Sequence, residues 1–574
     1  MDSNALPAYP SPAEMQAALS PAMLEACDVL VVGGGINGAG IVRDLAGRGL
    51  RVLLVEQHDL AAHTSSSSTK LIHGGLRYLE HHEFSLVRKA LQEREVLLRS
   101  APHIIKPMRF VMPHDPHMRP AWLIRLGLFL YDHLARRELL PGSRGVALRG
   151  HRLGAPLQAR FKRGFVYSDG WVDDARLVVL NAMDARERGA TVLTGTRCVR
   201  ATRGEQGWTV RLQRDGVGPQ GQATLHTVKA RMLVNAAGPW AHAFLREVAN
   251  APGGEALTQH SLRLVKGSHI VVPRLFEHEH AYIFQAKDRR IIFAIPYEQK
   301  FTLIGTTDVE IPSMPDKAHI TEEETAYLCE QASLYFKAPL QPDMVLWSYA
   351  GVRPLLEDAH ADASAVTRDY LLETCTLGAP LMTVWGGKIT TYRKLAEEAA
   401  GQITTLLGEE GRAWTGKARL PGGDLDAWIG PPMRPDRDML AFASRWRHKH
   451  PWIPLAVAER WAKAYGARVD QVLDGATSVA GLGHEVAPGL YECELRYLMR
   501  HEWARSADDV LWRRSKLGLH FTAEQCQRVS DWMDAALNGT PTPEAASQMV
   551  GAWWQRRPDS PHAQAASGTT VVMG

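Results

Sequence analysis

Residues 28–56 constrain this chain more than any other stretch. Residues 28–32 are the apolar run DVLVV, GGGINGAG (33–40) follows, IVRDLAGRGL continues at helical spacing, and RVLLVE (51–56) closes the unit. A run of that length and character suits a strand buried on both faces. Gly33, Gly35 and Gly38 form GxGxxG where the strand ends and the helix begins. The first glycine permits a tight turn, the second lets backbone amides approach a pyrophosphate, and the third allows helix and strand to pack closely. Ile36 and Asn37 sit inside the turn, where the helix start offers N–H groups and about half a positive charge to phosphates. Glu56 lies eighteen residues beyond Gly38, where a carboxylate accepts hydrogen bonds from ribose hydroxyls and disfavours a 2′-phosphate. A purely structural glycine turn is the competing reading. It does not account for strand, turn, helix, strand and terminal acid occurring together.

NAD and FAD both suit such a unit. NAAGPW (235–240) follows the apolar RMLV and brings Ala237, Gly238 and Trp240 towards an adenine or ribose, although an ordinary strand-to-helix turn reads the same way. GGKITTYR (386–393) is a second glycine turn, after the strand LMTVW (381–385) and before a helix. There the amides near Gly387, Lys388 and Thr390 would face the N1–C2 carbonyl edge of a flavin and stabilise charge developing on reduction. Two glycine turns some 350 residues apart suit one long cofactor folded across the domain, which favours FAD.

The 574 residues allow about three or four structural units. Sixty-six Lys and Arg against 62 Asp and Glu leave +4, too near neutral for a general nucleic-acid binder. Six scattered cysteines argue against a disulfide framework or zinc ribbon and fit a reducing compartment. No basic residue precedes Arg43, so the start lacks the charge of a signal peptide, and no stretch approaches the roughly 18 apolar residues of a spanning helix. The organisation reads as an N-terminal arm (1–27), interleaved FAD-binding and substrate domains (28–419) with a substrate-side sheet at about 262–370, and a Pro/Gly linker (420–435). A helical C-terminal domain (436–545) and a disordered tail (546–574) follow. Helices are expected at 84–99 and 171–190, a strand at 190–202, a two-stranded excursion at 208–212 and 224–230, and a return to the buried sheet from 231.

VVGGGINGAGIVRDLAGRGL, SSSSTKLIHGGLRYLE, RGFVYSDGWVDDARLV, LVNAAGPW, LVKGSHIVVP, IGTTDVE, AGVRPL and GGKITTYRKLAE together resemble the FAD-dependent (aerobic) glycerol-3-phosphate dehydrogenase family, as do LPGG and HEWARSADDVLWRRSKLGL further on. The likeness spans about residues 28–540. It implies an α/β fold: a glutathione-reductase-like FAD-binding domain, an antiparallel β substrate domain and an α-helical C-terminal domain. It also implies oxidation of sn-glycerol 3-phosphate to dihydroxyacetone phosphate at FAD, with electrons passed to a membrane quinone of the ubiquinone type. The enzyme would be a peripheral protein on the cytoplasmic face of the inner membrane, and a homodimer. Two alternatives stay open: an oxidase of the same substrate that reduces oxygen, and a non-catalytic dinucleotide-binding regulator.

A substrate phosphate needs cations, preferably guanidinium forks. Arg77 in HGGLRY and Arg353 in GVRPL are the candidate clamp, with Arg368 in VTRDY next and Tyr78 orienting the substrate. Oxidising the C2 alcohol also requires a base near working pH, which points to histidine. His269 in KGSHIVV is preferred over His73 in LIHGG, which would instead touch flavin, and either could be a core residue among the chain's 24 histidines. Lys388 would share the role through the flavin ring. In the hydroxyl run 65–69, Ser67 and Ser68 with Lys70, Leu71, Gly74 and Gly75 beyond are expected to wrap the flavin. The alternative is a solvated loop. His114/His117 and His278/His280 lack a third partner, so no metal is expected.

Residues 117–163 hold ten Lys and Arg and two acids. Within them, 119–137 mixes Trp122, Leu123, Ile124, Leu128, Phe129 and Tyr131 with Arg119, Arg125, Arg136 and Arg137, the composition of a helix lying in an anionic lipid interface. A buried helix with a solvated basic rim is the bland equivalent.

Overall fold

Strand β1 (Ala26–Val32), helix α1 (Ile36–Gly47) and strand β2 (Val52–Val55) form the expected β–turn–α–β unit. Val29, Leu30 and Val31 are fully buried because both sheet faces are covered. The computed structural model describes residues 26–538 except 116–118, 215–222, 251–257, 259, 289, 316 and 357–368. Nearly all of the expected arm, the tail, His117 and Arg368 lie outside the described residues.

β1 pairs in parallel with β2 on one side and with Thr224–Asn235 on the other, and β2 pairs with Thr191–Leu193. The excursion and the return to the sheet, read as two elements, are one twelve-residue strand, Thr224–Asn235. Its first half pairs antiparallel with Trp208–Arg214, and its last three residues pair in parallel with Leu381–Trp385. The strand expected at 190–202 breaks at Gly195, which adopts φ +58° and donates its N–H to His58 O at 2.9 Å. The helix expected from 171 starts later. Trp171 and Val172 end the strand Arg163–Val172, and Asp173 caps Asp174–Glu187 by accepting from Arg176 N.

A second, ten-stranded sheet contains the strands from Leu262 to Leu356 expected on the substrate side. Leu262–Pro273 pairs antiparallel with Phe301–Gly305, Val309–Ile311 and Trp347–Leu356. Earlier chain also joins this sheet: Leu71–Ile72, Ile105–His114, Arg144–Ala147 and Arg163–Val172. One junction, Ala281–Gln285 with Ile105–His114, is parallel, so the sheet is mixed. Its apolar face buries Val111, Ile270, Tyr282, Phe284 and Ile304 against Leu328 and Ala332 of helix Glu322–Ser333.

Two compact units emerge, 20–470 and a smaller one from 471 onward among the described residues. Residues 420–423 are buried in the larger unit: Leu420 N donates to Ser100 O, and Gly422 O accepts from Ala467 N. Prolines and glycines there pack closely rather than forming a loose connection. Helices Pro435–Lys449 and Leu455–Tyr465 belong to the same unit. The smaller unit contains Glu492–His501, a π-helical turn Asp509–Arg514 and Ala523–Leu537, the last capped reciprocally by Thr522 and Gln525. Among the described residues no helix is long and apolar enough to cross a membrane.

Candidate active site

The first glycine turn is as tight as its spacing requires. Gly33 has φ +113°, and a Cβ there would overlap Ala236 O; a Cβ on Gly38 would overlap Gly33 O. At Gly35 a Cβ would meet only Ser65 Oγ, and this cap residue has no side chain of its own to offer α1. Ile36 N–H donates to Ser65 Oγ at 3.0 Å. Glu56 accepts from Gly34 N at 2.7 Å and from His58 N at 2.9 Å, so it braces the turn. Burial pushes its carboxyl above the usual carboxylate range although those N–H groups pull the other way. Opposite, Ala237 N donates to Asn235 Oδ1, Gly238 takes φ +58°, and Trp240 meets His63 edge-on at 4.7 Å. His63 Nε2 lies 2.9 Å from His58 Nδ1.

Asn37 connects the two glycine turns. Its Nδ2 donates to Gly386 O at 3.0 Å, and its Oδ1 is buried without a hydrogen-bond partner. Gly386 and Gly387 take φ +71° and +102°. The position of a Gly386 Cβ lies 3.6 Å from Pro354 O, so the substrate strand Trp347–Leu356 runs past the second turn. Thr390 Oγ1 accepts from His73 N at 3.2 Å, and Lys388 Nζ stands 4.1 Å above the Tyr78 ring. Gly74 N donates to Tyr131 Oη at 2.8 Å, and Gly75, at φ +73°, opens the 3₁₀ turn Leu76–His81 that carries Arg77 and Tyr78. The Arg77 guanidinium has no hydrogen-bond or ion-pair partner among the described residues.

The hydroxyl run is built inward. Ser68 N and Oγ donate to Asp174 Oδ2 at 3.1 and 2.7 Å, and Lys70 Nζ pairs with Asp174 Oδ1 at 2.7 Å, both side chains buried. Ser67 Oγ donates to His63 O, and Leu71 is buried opposite Trp171. The hydroxyl that meets the dinucleotide helix is therefore that of Ser65. Ser68 and Lys70 direct these groups to Asp174, which lies in the segment RGFVYSDGWVDDARLV but is not among the expected site residues. Its place at the start of a helix, where an acid is favoured, is a further signal.

On the substrate sheet, His269 stands opposite Tyr349 in register and stacks on it at 4.8 Å and 14°. His269 is fully buried. Its Nε2 lies 3.0 Å from Thr69 Oγ1, and its Nδ1 has no partner. Burial first, then the Arg353 and Lys70 cations, hold it well below the usual histidine range, so the ring is neutral. His73 is half-buried. Arg353 pairs with Asp308 and donates through Nη2 to Thr306 Oγ1 at 2.9 Å, leaving about a third of its side chain exposed. Thr64 Oγ1 donates to Val352 O and Tyr349 Oη to Ser68 O, which lock the hydroxyl run to this strand. His278, one of the histidines weighed as a ligand, bonds Tyr282 Oη at 2.9 Å.

Helix Ala121–His133 exposes Trp122 (69%), Leu126 (46%) and Phe129 (51%). Of the basic rim, Arg119, Arg125 and Arg136 are exposed and Arg137 is half-buried. Arg125 Nη1 donates to Ser143 O and Oγ, and Arg137 donates to Asp132 O. Leu128 and Tyr131 are buried.

A helix start whose cap residue is glycine, two glycine turns with little room for a side chain and an Asn37 Oδ1 that has no hydrogen-bond partner among the described residues fit a long dinucleotide such as FAD. A family model described as FAD dependent oxidoreductase matches residues 28–393, and one described as the C-terminal domain of alpha-glycerophosphate oxidase matches 413–542. A Pseudomonas aeruginosa protein named glycerol-3-phosphate dehydrogenase is 51% identical over 92% of this chain and 99% of its own. A Brucella abortus protein named D-erythritol 1-phosphate dehydrogenase is 47% identical over 89% and 98%. The solved Bacillus halodurans glycerol-3-phosphate dehydrogenase complexed with FAD superimposes with a TM-score of 0.72 at 26% identity, covering 95% of this chain and 97% of that one.

Proposed function

The chain belongs to the family of FAD-dependent glycerol-3-phosphate dehydrogenases, and from that membership we propose that it oxidises sn-glycerol 3-phosphate to dihydroxyacetone phosphate. FAD, held by the turns at Gly33–Gly38 and Gly386–Lys388, supplies the hydride acceptor. The observation that carries this reading is the meeting at Gly386, which Asn37 reaches from the first turn and beside which Pro354 runs, one residue after Arg353.

Arg353 and Arg77 hold the phosphate, Arg353 giving up part of its contact with Asp308 as the dianion arrives. His269, neutral and stacked on Tyr349, takes the C2 hydroxyl proton at Nε2 in exchange for its contact with Thr69. Phosphate on Arg353 offsets the cation that depresses His269, which raises its affinity for that proton when substrate is in place. Tyr78, under Lys388, orients the polyol. Arg368, outside the described residues, belongs to the same proposal as the next phosphate candidate.

Electrons then pass to a ubiquinone-type acceptor, with the protein docked as a homodimer on the cytoplasmic face of the inner membrane. Support for docking comes from the exposed apolar row Trp122, Leu126 and Phe129.

Anaerobic addition of glycerol 3-phosphate to the yellow holoenzyme tests the reaction. Bleaching of the flavin band is expected, and an unchanged spectrum sinks it. Because the Brucella relative is named for a longer phosphorylated polyol, D-erythritol 1-phosphate is the comparator; bleaching by that compound alone moves the substrate. Stoichiometric hydrogen peroxide in air would replace quinone with oxygen.

A further inference from the structure

The wall of the site that carries Arg77 is anchored by an element outside every cofactor motif. Tyr131, in the last turn of helix Ala121–His133, is 2% exposed. Its hydroxyl accepts from Gly74 N at 2.8 Å and donates to Asp169, whose Oδ1 and Oδ2 lie 2.8 and 2.9 Å away. Asp169 also receives Arg94 Nη1 at 2.7 Å, and the same nitrogen donates to Ser168 O at 3.1 Å. Arg94 and Asp169 are both buried.

The direction of this chain is fixed. Burial, and next the Asp169 charge, keep the Tyr131 phenol protonated far above neutral pH, so it must donate to the carboxylate and accept from the amide. Only glycine permits this approach at residue 74, because a Cβ there would lie 2.7 Å from Tyr131 Oη and 2.6 Å from Leu91. One residue earlier, His73 N is held by Thr390 Oγ1; one residue later, Gly75 takes φ +73° and starts the turn bearing Arg77 and Tyr78. The backbone is thus gripped at two consecutive amides just ahead of a guanidinium that makes no bond of its own with the described residues.

We propose that Tyr131 is a positioning residue for substrate phosphate, holding Gly74 N–H so that Arg77 is presented at a fixed distance from the flavin turn. This rests on Arg77 being a phosphate ligand.

The test uses the FAD-loaded full chain. Tyr131→Phe keeps the ring that meets Tyr167 edge-on at 6.1 Å and removes only the hydroxyl. The expected result is a KM for glycerol 3-phosphate raised about fivefold or more, kcat within about twofold, unchanged FAD content, and faster amide exchange in a peptide covering 71–79. Tyr167→Phe deletes a neighbouring hydroxyl that makes no hydrogen bond among the described residues and is expected to leave KM alone. An unchanged KM in Tyr131→Phe overturns the proposal, as does an equal rise in Tyr167→Phe, which would signal general loosening. Should Tyr131→Phe fail to fold, Asp169→Asn carries the same expectation, and an unchanged KM in that variant overturns the proposal equally. Arg77→Ala separates the premises. If it leaves kcat/KM intact, the phosphate reading fails; if it raises KM while Tyr131→Phe does not, positioning fails alone.

Discussion

Asn37 Nδ2 donates to the carbonyl of Gly386 at 3.0 Å, a bond spanning 349 residues of sequence. It ties the dinucleotide turn to the turn nearest the substrate strand, so one amide side chain sets the spacing between the two ends of a cofactor site. Asn37 Oδ1, buried and without a hydrogen-bond partner among the described residues, leaves an acceptor available beside that bond.

Gly387→Ala tests this spacing. Residue 387 takes φ +102°, and a Cβ there would stand 2.8 Å from Asn37 Nδ2. The backbone strain alone is of order 1–3 kcal/mol. Less than about half the wild-type flavin-to-protein ratio is expected from the visible spectrum. Full occupancy would show that the turn has slack.

Arg353→Ala removes one charged hydrogen-bonding fork while leaving the flavin turns untouched. At about 1.5–3 kcal/mol for bonds to a charged group, kcat/KM for glycerol 3-phosphate should fall at least about tenfold with FAD retained. Steady-state kinetics on flavin-normalised enzyme decide it, and an unaltered value removes Arg353 from the site.

The base prediction is a pH effect. His269 is held well below 6.5, and a base works when deprotonated, so it stays competent as pH falls from 8 to 6.5 and loses function only below that. The phosphate of the substrate also titrates near 6. The ratio of wild-type to His269→Asn kcat/KM cancels that term and should be flat across the window. A ratio that drops near 6.5–7 would show that His269 itself titrates there and is not depressed, and a flat ratio close to one would move the base role to another group such as His73.

His103 links pH to stability. Both ring nitrogens are buried without partners, and burial, then Arg176, lowers its pKa to about 3. The unfolded chain therefore takes up a proton near 6.5 that the folded one refuses, so this contribution is intact above 6.5 and lost as pH falls below it. Between pH 7.5 and 5.5 one such group accounts for about 1.4 kcal/mol. Urea unfolding of wild type and His103→Gln should show their difference shifting by about that amount, and no shift would refute it.

Membrane docking is expected to depend on apolar contact more than on charge. Trp122→Ser with Phe129→Ser should abolish sedimentation with anionic vesicles. Arg125→Gln should have a smaller effect, because it removes one surface charge worth about 1 kcal/mol and leaves the apolar row in place. Unchanged sedimentation of the double variant would discard this surface.

Periodicity and turn chemistry made β1, α1, the glycine turns and Glu56 legible, because each depends on contacts within about thirty residues. Arg353 and His269 were legible as residue types with a chemical task. Their surroundings were not: Asp308, Tyr349 and Thr69 reach them only through sheet register and loop packing. Thr224–Asn235 was split in two by the sequence pattern because its two halves face different neighbours, one antiparallel and one parallel.

What the sequence determined by itself is the local chemistry: a strand, a turn that only glycine can make, and an acid at the right distance. Tertiary structure alone decided which hydroxyl of the 65–69 run faces the helix start, that Ser68 and Lys70 serve Asp174, and that Tyr131 grips Gly74. The physical reason is that a hydroxyl, an ammonium and a backbone amide bond to whatever acceptor is brought near. That proximity is set by packing between elements far apart in the chain, and no residue spacing encodes it.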